Sequence, residues 1–244
     1  MNTSDVIHAE HLTEGDAGPF LPVCFCLDTS DSMHSSAGGG LSRLQCLQNG
    51  IDSLYSRIGA HEYASAIVNL SIVTFDEEAR ILQGFTRAGQ VVPPRLTLGG
   101  NGTAMGAGVN LALDLLRSYS EEFRRKHYSF SAPWLIIMSD GRNNIGRASF
   151  QRAQARIREQ TEQRRLNVFP FGIGTSADLE QLNALSPRQE AFRLGENQMD
   201  GMFDWFILQT ALISTGVIDG NTGTKLEKYV VESWTTPLAE KRPV

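Results

Sequence analysis

L-P-V-C-F-C-L-D-T-S-D-S-M, residues 21–33, is the stretch on which the fold turns. Its first seven residues are an unbroken apolar run, the pattern of a parallel strand covered on both faces. The run stops at Asp28 and passes into hydroxyl-rich turn chemistry. Such a strand needs helices on both sides and parallel neighbours, and the flanking sequence supplies them. Residues 42–59 carry Leu44, Leu47, Ile51, Leu54 and Ile58 at helical spacing. Ile67 to Phe75 and Arg80 to Phe85 read as strands joined through Asp76, Glu77 and Glu78, a hairpin. Pro93-Pro94 and the glycine-rich stretch 99–108 mark a loop, and a helix follows over 104–119. Trp134 to Met138 is a second fully apolar strand, ending at Ser139-Asp140-Gly141.

A charged helix over 148–164, a strand from Asn167 to Ile173, a short helix at 178–184, a short strand at 191–194 and a helix at 200–215 complete the rhythm. This alternation predicts an α/β domain over residues 21–217. Its sheet is doubly wound and mostly parallel, with one antiparallel edge strand and helices on both faces. Residues 1–20 read as a flexible polar leader and 218–244 as a carboxyl-terminal extension with the apolar cluster Tyr229, Val230, Val231 and Trp234.

The chain has 244 residues and a formal net charge of −5, which argues against a basic nucleic-acid face. Of the three cysteines, Cys24 and Cys26 sit two apart on one strand, face the same way and cannot bridge; buried small hydrophobes is the better reading. Low, odd cysteine usage suits a reducing compartment. Residues 1–20 contain Asp5, Glu10, Glu14 and Asp16 and no apolar core of a secretory signal. No apolar stretch approaches the roughly 20 residues needed to span a bilayer. The expectation is a cytoplasmic protein without a membrane or nucleic-acid partner.

Open α/β sheets bind ligands beyond the carboxyl ends of their strands, where strand order reverses. Two of the strongest strands here end in aspartates, Asp28 and Asp140, each beside hydroxyls. One such aspartate is usually a turn or cap residue; two together point to a site. Asp28, Ser30 and Ser32 alternate by two, which in an extended segment brings three oxygens to one face. The G-G-N-G-T-A-M-G loop, 99–106, presents Thr103. All five are hard oxygen donors, which select magnesium, calcium or manganese over copper or zinc. Two carboxylates neutralise a divalent ion, leaving it electrophilic toward water or an external carboxylate.

D-x-S-x-S, a threonine in a glycine-rich loop, and an aspartate ending a later apolar strand together resemble the metal-ion-dependent adhesion site of von Willebrand factor A domains, whose fold is Rossmann-like. The resemblance covers residues 21–217 and implies metal positions at Asp28, Ser30, Ser32, Thr103 and Asp140, with Mg2+ as the cofactor and Mn2+ or Ca2+ as alternatives. L-P-V at 21–23, A-P-W at 132–134 and V-F-P-F-G-I-G-T at 168–175 are most similar to the bacterial TerY-like branch, associated with tellurium resistance and phosphorylation signalling. Asp31 stands where the family often has glycine, and no cysteine follows Cys46 to form the metal-binding module found in some TerY-like chains.

The resemblance implies a non-enzymatic adaptor that grips a protein partner, such as a kinase, a phosphatase or an ATPase component, by an acidic side chain. Two other readings stand beside it. One is a structural subunit whose metal only stabilises the fold. The other is a metal-assisted phosphoesterase, which the missing D-x-D disfavours along with the absence of G-x-S-x-G and of a phosphate-binding loop motif. The apolar stripe Phe203, Phe206, Ile207, Thr210, Ala211 and Ile213 marks the 200–215 helix, expected to pack firmly on the core, with metal-linked sliding as the alternative.

Overall fold

β1 (Leu21–Asp28) is buried along its whole length at the centre of a six-stranded sheet. The computed structural model describes residues 19–37, 40–187, 191–195 and 198–216, so residues 1–18 of the expected leader, the extension 218–244 and its Tyr229–Trp234 cluster lie outside the described residues. The sheet runs β3-β2-β1-β4-β5-β6, with β2 (Val68–Phe75), β3 (Ala79–Arg87), β4 (Trp134–Ser139), β5 (Asn167–Ile173) and β6 (Phe192–Leu194). Every pairing is parallel except β2 with β3, the hairpin at one edge. This is the doubly wound α/β arrangement that the apolar runs predict.

β1 alternates its side chains between two separate cores. Leu21, Val23, Phe25 and Leu27 join one cluster, and Cys24 and Cys26 join the other. Helices α1 (Arg43–Ala60) and α6 (Met199–Ser214) contribute Leu47, Ile51, Leu54, Phe203 and Phe206 to the first face. α3 (Met105–Arg125) and α4 (Arg147–Glu162) contribute Val109, Leu113, Leu116, Ala153 and Ile157 to the second, and α5 (Glu180–Ala184) adds Leu182. All three cysteines are free and buried, and burial pushes the Cys24 thiol up to about 12, so they behave as core hydrophobes. Among the described residues, no helix is long and apolar enough to cross a membrane.

Two local features depart from the sequence reading. A short helix, α2 (Glu62–Ile67), precedes β2 and takes Ile67 out of the strand. Its Ala64 and Ile67 are buried, so tertiary burial favours a helix where a β-branched residue next to a strand reads as strand. The segment after Asp28 is not extended: Asp31–His34 form a 3-10 turn, with Ser30 as its extended first flank at φ −62° and ψ 162°. Asp28, Ser30 and Ser32 therefore converge through a turn, because the chain must bend at the strand end to reach α1.

Strand order reverses between β1 and β4: from β1 the chain winds outward to β2 and β3, and from β4 to β5 and β6. Leu27 lies opposite Met138 in that ladder. Asp28 and Ser139, one residue further along each strand, thus end side by side at the crevice where such sheets bind ligands.

Candidate metal centre

Asp28 is fully buried and receives three donors. Its Oδ1 accepts the Ser30 amide at 2.9 Å and the Ser30 hydroxyl at 2.6 Å, and its Oδ2 accepts the Ser139 hydroxyl at 2.5 Å. Burial pushes the carboxyl up to about 6, the hydrogen bonds from Ser139 and Ser30 pull it down, and the nearby Asp140 charge adds a smaller upward push. Ser30 Oγ lies 3.1 Å from Ser32 Oγ. Since the Ser30 proton goes to Asp28, its lone pairs remain for another acceptor role.

Asp140 follows β4 and is 4 % exposed. Its Oδ2 accepts Arg43 Nη1 at 3.0 Å, and its Oδ1 accepts the Arg142 amide at 3.3 Å. The same Arg43 Nη1 donates to the Ser32 carbonyl at 3.2 Å, so one nitrogen joins Asp140 to the Asp28 loop. Gly141, at φ +95°, makes the turn possible: a Cβ there would lie 1.5 Å from the Asp178 carbonyl oxygen, and the Asp178 amide donates to the Asp140 carbonyl.

Thr103 is buried, and its backbone is fastened to the loop after β4. Its amide donates to Asn144 Oδ1 at 2.7 Å, and its carbonyl accepts the Asn144 and Ile145 amides. The glycine-rich loop is tied to the β1 loop by Gly99 donating to the Thr29 carbonyl and Asp31 donating to the Gly100 carbonyl.

The structure thus joins Asp28, Ser30 and Ser32 through side-chain hydrogen bonds, brings in Asp140 through Arg43, and holds Thr103 by loop tethers. Ser139 and Arg43 escape the sequence reading. For Ser139 a signal existed, its position one residue past Met138 on the strand beside β1. Arg43 gives none: an arginine opening an amphipathic helix reads as a surface residue, and its carboxylate partner lies 97 residues away.

The donor set fits a hard divalent cation. Among the described residues no three His, Cys, Asp or Glu side chains gather as a metal-holding group, so a cation here would rely on hydroxyls beside two carboxylates. In an octahedral magnesium shell of radius ~2.0–2.1 Å, neighbouring donors stand about 3 Å apart, close to the Ser30–Ser32 separation.

Residues 23–142 match the family model of the von Willebrand factor type A domain. That span runs from β1 past Asp140 and contains all five positions, so this part of the chain is similar to a von Willebrand factor type A domain. Solved structures are similar in fold. A D319A mutant of the PilB minor pilin from Streptococcus sanguinis superposes with a TM-score of 0.62 at 11 % identity, over 84 % of this chain and 64 % of the pilin chain. The vWF domain of the type V pili tip protein Mfa5 from Porphyromonas gingivalis gives 0.55 at 11 %, over 85 % and 98 %. Proximal thread matrix protein 1 from the mussel byssus, with a zinc-occupied MIDAS motif, gives 0.50 at 16 %, over 80 % and 47 %. This chain therefore spans under two thirds of the pilin's length. No curated protein matches it.

Proposed function

We propose that this domain is a metal-dependent protein-binding module that holds Mg2+ through Asp28, Ser30, Ser32, Thr103 and Asp140 and captures an acidic side chain of a partner protein on that ion. The observation that carries the reading is the Asp28–Ser30–Ser32 cluster at the strand-order reversal, with Asp28 and Ser30 buried and the two hydroxyls 3.1 Å apart. The ion would supply a Lewis-acidic position for a carboxylate from outside. The residues around it supply a contact surface: Asp31 and Arg142 are exposed, and the exposed apolar residues Leu98 and Ile145 flank the loops that hold Thr103. A partner acidic residue set among apolar neighbours suits that rim.

Binding is favoured over phosphoester chemistry because the sequence lacks D-x-D, G-x-S-x-G and a phosphate-binding loop motif, while three hydrogen bonds to the Asp28 carboxylate leave about one of its four acceptor sites for a cation. The TerY-like motifs support a cytoplasmic partner from a phosphorylation-signalling or stress system, namely a kinase, a phosphatase or an ATPase component. Affinity capture from native lysate tests the reading, run with Mg2+, with Zn2+ and with chelator. A partner should be retained with metal, released by chelator, and lost with Asp28→Ala under all conditions. Equal retention with chelator would favour a structural metal, and phosphatase activity lost with Asp28→Ala would favour catalysis.

A further inference from the structure

Arg43 is a buried cation built into this centre. It opens α1, yet its side chain turns inward, where Nη1 reaches Asp140 Oδ2 at 3.0 Å and the Ser32 carbonyl at 3.2 Å, and Nη2 donates to Ser176 Oγ at 2.9 Å. Its Nε is buried without a hydrogen-bond partner. The backbone makes room for it: Gly174 stands at φ +91°, and a Cβ there would come within 3.1 Å of Nε. One guanidinium thus binds the loops after β1, β4 and β5. A buried guanidinium is costly to desolvate unless carboxylate and carbonyl partners compensate it, so the arrangement has a definite electrostatic consequence.

Asp28 and Asp140 carry two negative charges when ionised, and Arg43 cancels one. A divalent cation then leaves the centre at +1, where the same ligands without Arg43 would be neutral. We propose that Arg43 is the internal counter-cation and positioning residue of the centre: it holds Asp140 in place before metal arrives, weakens metal binding, and strengthens capture of an anionic ligand by the loaded site. The inference rests on the metal-site reading above. Like-charge repulsion between Arg43 and the incoming cation lowers metal affinity, while the residual positive charge at short range raises attraction for a carboxylate. The two effects have opposite signs, and a purely structural arginine would not produce that split.

The test uses Arg43→Met, which keeps the apolar stem and removes the charge, and Arg43→Gln, which keeps a donor for Asp140. Each is titrated calorimetrically with MgCl2, and the Mg2+-loaded protein is then titrated with a fluorescent glutamate-containing pentapeptide. Both variants should bind Mg2+ roughly tenfold more tightly than the parent and the peptide several-fold more weakly, with a lower melting temperature in chelator and a larger rise on adding Mg2+. Arg43→Lys, which retains the charge, should stay within about threefold of the parent for Mg2+. If Arg43→Met does not fold, Arg43→Gln carries the comparison. Unchanged or weaker Mg2+ binding in the charge-removing variants, with the parent binding Mg2+ normally, overturns the role of Arg43 alone. A parent protein that binds neither Mg2+, Mn2+ nor Zn2+ overturns the metal centre and this role with it.

Discussion

Asp28 carries a proton-linked property that follows from its burial. Burial pushes its carboxyl up to about 6 in the folded state, above the ordinary 3.8 of a free aspartate. A carboxyl raised in this way makes metal-free stability fall as pH rises from about 3.8 to about 6, because ionisation is disfavoured only in the folded state; above that window the loss is constant. Metal binding runs the other way, since a cation needs the ionised carboxylate and competes with the proton below pH 6. The dissociation constant for Mg2+ should therefore be about tenfold weaker at pH 5 than at pH 7, with proton release on binding at the lower pH. Ser139→Ala removes a hydrogen bond that favours the ionised form, so it should move the midpoint upward. Calorimetric titrations in buffers of different ionisation heat measure both effects, and an affinity flat between pH 5 and 7 would exclude Asp28 as the proton-linked ligand. At this scale the sequence named Asp28, Ser30 and Ser32 through spacing, but it offered no sign of Arg43, whose partners are distant in the chain.

At α6, packing bears on what a sequence pattern leaves open. Its apolar stripe and the nearby Gly201 and Gly216 admit either a fixed or a sliding helix. The structure seats it by aromatic interlocking: Trp205 stacks on Trp134 at 5.8 Å, and Phe206 meets Trp134 edge-on at 5.6 Å. Phe169 lies 5.3 Å from Trp205, and Phe203 packs so close to α1 that a Cβ on Gly50 would stand 3.1 Å from its ring. Arg57 also pairs with Asp200 and Asp204, though such exposed pairs add little. Sliding by one turn would break this aromatic set, and a ligand moves a helix only by preferring one of its positions. Amide exchange across residues 199–216 should therefore stay constant when Mg2+ binds, while residues 28–34 and 99–104 gain protection. A loss of protection confined to α6 on loading would revive the sliding alternative. Phe206→Ala, which empties a fully buried aromatic site, should cost about 3–5 kcal/mol in chemical denaturation.

Across the whole molecule, the two cores on either face of the sheet are built from apolar side chains, and the centre lies at one end of them. The protein should stay folded in chelator by far-ultraviolet circular dichroism. Added Mg2+ should contribute about 2.7 kcal/mol at a concentration of 100 times the dissociation constant, which raises the melting temperature by roughly 5–10 °C in a domain of this size. Asp28→Asn should retain the fold and lose that rise; unfolding in chelator would make the metal structural. The sequence by itself determined the layered α/β fold, the hairpin edge and the strand ends carrying Asp28 and Asp140, because a parallel strand buried on both faces must be written as an unbroken apolar run. Only the tertiary structure decided that the loop after β1 turns as a 3-10 segment, that α2 forms before β2, that Ser139 donates to Asp28 and that Arg43 lies against Asp140. Those features depend on which strands become neighbours and on what the space between distant loops will hold, and local spacing carries no record of either.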